Sequence, residues 1–221
     1  TPLDIGTAEQ WEAATMGFQN IGPTYWKGED GRKALIAGTA KFTDKPYTDT
    51  WAELASWAPY MGDGYQSQKY ADSQNWGTCG KAAIELSGSW DIPTFETQNP
   101  DLKFAAFPRP VVNAGDQCYI SDHVDHAIGL NPKSPNIDAA KTFLSWVASP
   151  DFATVYGNAL PGFFPLSNAK VEIKDPVAQQ FVSWRANCKA TSRNAYQSPA
   201  RGTPNLENEL WNVTSQVMNG A

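Results

Sequence analysis

Ser89-Trp90-Asp91 sets an indole beside a carboxylate directly after the apolar run Ala82-Ala83-Ile84-Glu85-Leu86 and the small pair Ser87-Gly88. The run predicts a strand over 82–86, and Ser89 predicts a cap on a helix that carries Trp90 and Asp91 in its first turn. Gly88 lets the backbone come close to a ligand. Such a corner suits a polyol: the flat aromatic face covers the apolar C–H side of a sugar ring, and the carboxylate accepts hydrogen bonds from neighbouring hydroxyls. The other reading packs Trp90 beneath the following helix, and the two residues by themselves leave both open.

A second concentration of chemistry is Ser121-Asp122-His123-Val124-Asp125-His126, which gathers both histidines with two carboxylates. In an extended segment His123 and Asp125 share one face, Asp122 and His126 the other. Only two ligands converge locally, so polar contact with sugar hydroxyls is favoured over a metal, and neither metal nor cofactor is expected. Cys79, Cys118 and Cys188 form no CxxC or Cys/His ligand pattern. An oxidising compartment would allow one disulfide. Cys118 with Cys188 is the pairing favoured, while the spacing leaves all three pairings open. GxSxG, P-loop, HExxH and strand-following GxGxxG patterns are absent from the sequence, which removes the usual local signals of nucleophilic, phosphate and dinucleotide chemistry.

The elements that must hold these residues alternate between strand and helix, placing the chain in the α/β class. Strands are predicted at 1–5, 82–86, 103–107 and 127–130. One helical stripe runs through Trp51, Leu54, Ala55 and Ala58, another through Ile137, Ala140, Leu144 and Val147, and a terminal one through Leu206, Leu210, Val213 and Val217. Ser134-Pro135, Ser149-Pro150, Asp175-Pro176 and Thr203-Pro204 each pair a capping residue with a proline suited to the first helical position. Loops are predicted at 62–68, 108–117 and 156–167.

Composition excludes several classes. A net charge of -6 with interspersed signs offers no basic stripe, so a nucleic-acid partner is not expected. No apolar run approaches a membrane span, and no charged n-region precedes an apolar h-region, so a soluble mature chain is expected, with any targeting signal already gone or never included. The 9 Trp, 8 Tyr and 10 Phe are the compositional anomaly, of a kind that carbohydrate sites use heavily, although most are expected to fill the core.

Gly80-Lys81-Ala82-Ala83-Ile84-Glu85-Leu86-Ser87-Gly88-Ser89-Trp90-Asp91 resembles the signature of the sugar-binding proteins of bacterial ABC importers, the maltose-binding-protein-like family 1 of extracellular solute-binding proteins. Phe104-Ala105-Ala106-Phe107-Pro108, Ala127-Ile128-Gly129-Leu130-Asn131, Ala139-Ala140-Lys141-Thr142-Phe143-Leu144-Ser145-Trp146 and Asn158-Ala159-Leu160-Pro161-Gly162-Phe163-Phe164-Pro165 resemble further family blocks in the family's order. Thr7-Ala8-Glu9-Gln10-Trp11 is similar to the start of its second lobe.

The resemblance implies a type II periplasmic-binding-protein fold of which this chain is the second lobe plus a crossover segment of the first. Residues 1–118 would be second-lobe α/β, 119–170 the crossover, and 171–221 a helical return. It implies binding of a mono- or oligosaccharide between lobes without catalysis, in the periplasm or outside the cell. The partners implied are the importer's membrane permease subunits and the missing first-lobe polypeptide. Trp90 would stack on the sugar, Asp91 would accept its hydroxyls, and Ser89, His123, Asp125, Gly162 and Phe163 would line the cleft. Trp11 is a further cleft candidate, or a core residue under Met16 and Phe18. Arg193, Gln197 and Arg201 could donate to a sugar or acidic group, with Arg201 the one retained as a ligand-binding candidate. A glycoside hydrolase built on carboxylates such as Asp91, Asp122 and Asp125, and an interaction module without a small ligand, are the alternatives.

Overall fold

A computed structural model describes residues 1–124, 126–165, 170–194 and 202–221. Strand β1 (Leu3–Asp4) lies parallel to β2 (Ile84–Glu85), with Leu3 opposite Ile84 and Asp4 opposite Glu85. A second parallel pair joins β3 (Tyr119–Ser121) to β4 (Lys189–Thr191). Parallel strands need long crossovers, and helices supply them. A buried π-helical turn (Ala13–Phe18) runs into α1 (Gln19–Trp26), followed by α2 (Glu29–Ile36), α3 (Lys45–Ser56) and α4 (Tyr70–Thr78). After β2 come a 3₁₀ turn (Ser89–Asp91) and α5 (Ile92–Gln98). Then α6 (Ile137–Val147), α7 (Pro150–Ala159), α8 (Pro176–Trp184) and the terminal α9 (Leu206–Met218) complete the helices among the described residues.

The main core lies between β1, the π-helical turn, α1, α3 and α9. Ile5, Met16, Phe18, Ile21, Tyr47, Leu54, Leu210 and Met218 are sealed there. Aromatic rings fill much of it: Phe18 stacks on Trp51 at 4.6 Å and Trp26 on Tyr47 at 5.3 Å. A smaller core of Ile92, Val177 and Ala178, flanked by Phe104, Ala106, Phe164, Ile173 and Phe181, joins α5 to α8. Helices α6 and α7 pack on each other through Trp146 and Phe152, whose centroids are 4.9 Å apart, and no side chain of α6 is fully buried.

Several sequence expectations shift. The chain at 103–107 alternates in exposure, with Phe104 and Ala106 packed on the smaller core, but it forms no strand among the described residues; the Ala106 amide donates to Gln180 Oε1 at 2.7 Å. Residues 127–130 likewise form no strand, and Ile128 is 58% exposed. In α3 the inward face is Tyr47, Thr50, Trp51 and Leu54, with Ala58 packing on the core just past the helix end, while Ala55 points out. In α9 it is Leu206, Leu210, Thr214 and Met218, with Val217 half-buried, while Val213 faces solvent. Ser149 and Asp175 cap α7 and α8 as expected, their side chains accepting from the Phe152 and Ala178 amides. Helices α6 and α9 begin later than their Ser-Pro and Thr-Pro signals, with Asn136 and Asn205 preceding them.

The disulfide joins Cys118 to Cys188, so the covalent link sits at the head of the β3–β4 pair. Cys79 is free and exposed. No helix among the described residues is long and apolar enough to cross a membrane.

Candidate ligand-binding site

The β2 strand delivers the chain to the Trp90 corner. The Leu86 amide still donates to Asp4 of β1, at 3.1 Å, after which the backbone turns through Gly88 into the Ser89–Asp91 turn. The Trp90 ring folds back directly over Gly88, where a Cβ would overlap it, so the glycine is required by close approach. Ser89 does not cap the helix. Its hydroxyl donates to the Gly162 carbonyl at 2.6 Å and ties the corner to the loop after α7. Gly162 is buried at a φ of +89° against the Ser89 backbone, a position that a side chain would overlap.

Trp90 is half-buried. Its ring meets His123 edge-on at 5.8 Å, and the Arg193 guanidinium lies 5.9 Å over its centroid. Phe163, next to Gly162, stacks on His126 at 5.6 Å, and His126 Nδ1 lies 3.2 Å from the Tyr156 hydroxyl. Ser89, Trp90, His123, Gly162 and Phe163 are therefore linked through these contacts, although 73 residues separate Ser89 from Gly162. Trp11 is half-buried on the rim of the main core, set edge-on to Tyr70 at 4.8 Å. Asp125, Gln197 and Arg201 lie outside the described residues. Asp122 forms an ion pair with Arg185. Among the described residues no group of three or more His, Cys, Asp or Glu side chains could hold a metal ion.

Asp91 departs from its expected role. It is 3% exposed, and its carboxylate accepts from Gln74 Nε2 at 2.6 Å and from the Tyr70 and Ser87 hydroxyls. Those donors occupy it from within the protein, so it anchors Tyr70 and is not presented to a ligand. Tyr70 in turn accepts from the Trp90 indole Nε1–H at 2.6 Å. Burial and the adjacent Asp91 push the Tyr70 pKa up, so the phenol keeps its proton. Sequence reasoning missed Tyr70, Gln74 and Ser87. No periodicity or motif links Tyr70 to a corner twenty residues away.

Behind this wall lies a group of buried acids. Glu12 accepts from Ser73 Oγ at 2.6 Å and from the Gly6 amide at 2.8 Å, and Asp4 accepts from Gln68 Nε2 at 2.7 Å. Neither carboxyl oxygen of Glu85 has a hydrogen-bond partner. Burial pushes Glu85 up to about 9, Glu12 to about 7 and Asp4 to about 6, and the neighbouring acids add to the shifts of Glu85 and Glu12.

Residues 5–154 match the family described as bacterial extracellular solute-binding protein. No curated protein matches the chain. Among solved structures, the chain is similar to the MsmE binding protein of Bacillus subtilis subsp. subtilis str. 168 in an open conformation, with a TM-score of 0.75 and 18% identity over 99% of this chain and 54% of that one. A Bacillus licheniformis sugar transporter in complex with stachyose gives a TM-score of 0.75 at 17% identity, covering 99% of this chain and 56% of that one. The solute-binding protein RafE in complex with raffinose gives 0.71 at 14% identity, covering 99% and 59%. At these identities the likeness establishes the type II periplasmic-binding-protein fold, and the chain spans little more than half the length of each solved structure.

Proposed function

This chain belongs to the bacterial extracellular solute-binding proteins, and from that premise we propose that it forms one wall of a saccharide-binding cleft in the receptor of a carbohydrate ABC importer. The observation that carries the reading is the convergence of Trp90, His123, Ser89, Gly162 and Phe163 from three separate segments. Trp90 offers the stacking surface, with the His123 ring set edge-on beside it, while Arg193, only 8% exposed, supports the indole from within the protein. The relatives in complex with stachyose and raffinose support a saccharide as the ligand class.

Binding proceeds without turnover. Asp91 is enclosed by three donors and Asp122 is paired with Arg185, so neither is poised as the acid or base that glycoside hydrolysis requires. The second wall of the cleft comes from polypeptide corresponding to the part of the solved relatives that this chain does not match. Phe143, Trp146 and Val155 on α6 and α7, which are 51%, 45% and 60% exposed, are the apolar surface that such a lobe would cover. The assembled receptor works outside the cytoplasmic membrane, and closure on the ligand presents it to the permease.

The test is a titration of the chain, alone and joined to that second lobe, with raffinose, stachyose and chitin oligosaccharides, following Trp fluorescence and assaying for cleavage products. Saturable binding by the assembled protein, weak binding by this chain alone and no product are expected. Release of smaller sugars would overturn the reading.

A further inference from the structure

We propose that Tyr70 is the positioning residue of the aromatic wall: its hydroxyl, anchored on buried Asp91, fixes the tilt of the Trp90 indole while its ring supports Trp11. The inference rests on the reading of Trp90 as a stacking surface.

Hydrogen-bond direction makes the arrangement unambiguous. An indole N–H only donates, a carboxylate only accepts, and a phenol has one proton to give. With Asp91 taking that proton, the Tyr70 oxygen faces Trp90 with its lone pairs, and the indole N–H reaches it at 2.6 Å. Asp91 is fixed by Gln74 and Ser87, so it cannot follow Tyr70 into another rotamer without abandoning two further donors. A half-buried indole held only by packing could rotate about two side-chain bonds. This one is clamped by Gly88 beneath and Tyr70 at its nitrogen. The Tyr70 backbone is held as well, its amide donating to Glu9 Oε2 at 3.1 Å, two residues before Trp11. Trp11 and Trp90, 79 positions apart in sequence, thus share one support at the start of α4. A stacking platform set in place before the ligand arrives loses less rotamer entropy on binding.

The experiment compares Tyr70→Phe, which keeps the ring under Trp11 and removes the relay, with the parent protein. The indole ¹H–¹⁵N resonance of Trp90, assigned with Trp90→Phe, is read without sugar, and raffinose affinity is then measured in the assembled two-lobe protein. A displaced Trp90 resonance in a folded Tyr70→Phe protein, with affinity about tenfold weaker, is expected from the loss of one hydrogen bond. An unchanged Trp90 resonance would overturn the proposal. If Tyr70→Phe does not fold, hydrogen exchange of the Trp90 indole in the parent decides: slow exchange supports the clamp, and exchange as fast as that of a free indole defeats it. Because the resonance is read without ligand, a parent protein that binds no saccharide would sink the reading of the site and leave the positioning result legible on its own.

Discussion

At the scale of single residues, the buried acids make stability depend on pH in a direction opposite to that of salt-bridged carboxylates. Glu85 titrates at about 9 in the fold against an ordinary 4.5, so its neutral form is the one the fold favours. Its contribution is complete below about pH 4.5 and is lost as pH rises through about 9. Glu12 behaves alike between 4.5 and about 7, and Asp4 between 3.8 and about 6. The midpoint of denaturant unfolding is therefore expected to be higher at pH 5 than at pH 8, and a midpoint that climbs over this range would contradict the assignment. Glu85→Gln removes a buried, unpartnered acid and should raise stability at pH 8 by about 1–3 kcal/mol while flattening the slope. The same scale limits what a sequence can say. The Trp90 corner is legible because a strand, a glycine and an indole are adjacent. The inward turn of Asp91 is not, because its donors Tyr70 and Gln74 come from a helix whose register against β2 is set only in the folded chain.

Among the elements, those with caps were the most readable. Ser149-Pro150 and Asp175-Pro176 mark α7 and α8, since a side-chain acceptor followed by proline satisfies a free amide and presets the first turn. Ser149→Ala should cost about 1 kcal/mol, read as a lower denaturant midpoint. Strands were less legible. The segment 103–107 has the alternation of a strand but has no strand partner among the described residues, whereas β3 and β4 are three residues each and carry no alternation long enough to detect. The loop after α7 depends on one backbone position. Gly162→Ala should force the loop off Ser89, costing more than about 2 kcal/mol and separating Phe163 from the Trp90 corner, because both its φ and its contact with the Ser89 carbonyl forbid a side chain. A variant with the parent's stability and ligand affinity would show that the loop has another way to seat.

For the whole molecule, the α/β class and the solute-receptor fold were both legible, the first from alternating helix and strand signals and the second from ordered family blocks. The division into two cores was not, because it depends on contacts between distant segments. The Cys118–Cys188 disulfide closes such a long-range connection, with a sequence separation of 70. Replacing both cysteines by serine should lower stability by about 2–5 kcal/mol, while Cys79→Ser, at an exposed free thiol, should change it little. Everything functional turns on whether the half-buried indole at the end of β2 meets a sugar. The most direct measurement is the raffinose and stachyose affinity of Trp90→Ala against the parent in the assembled two-lobe protein. Loss of at least tenfold in affinity in a variant that still folds is what the site predicts; equal affinities would place the saccharide elsewhere.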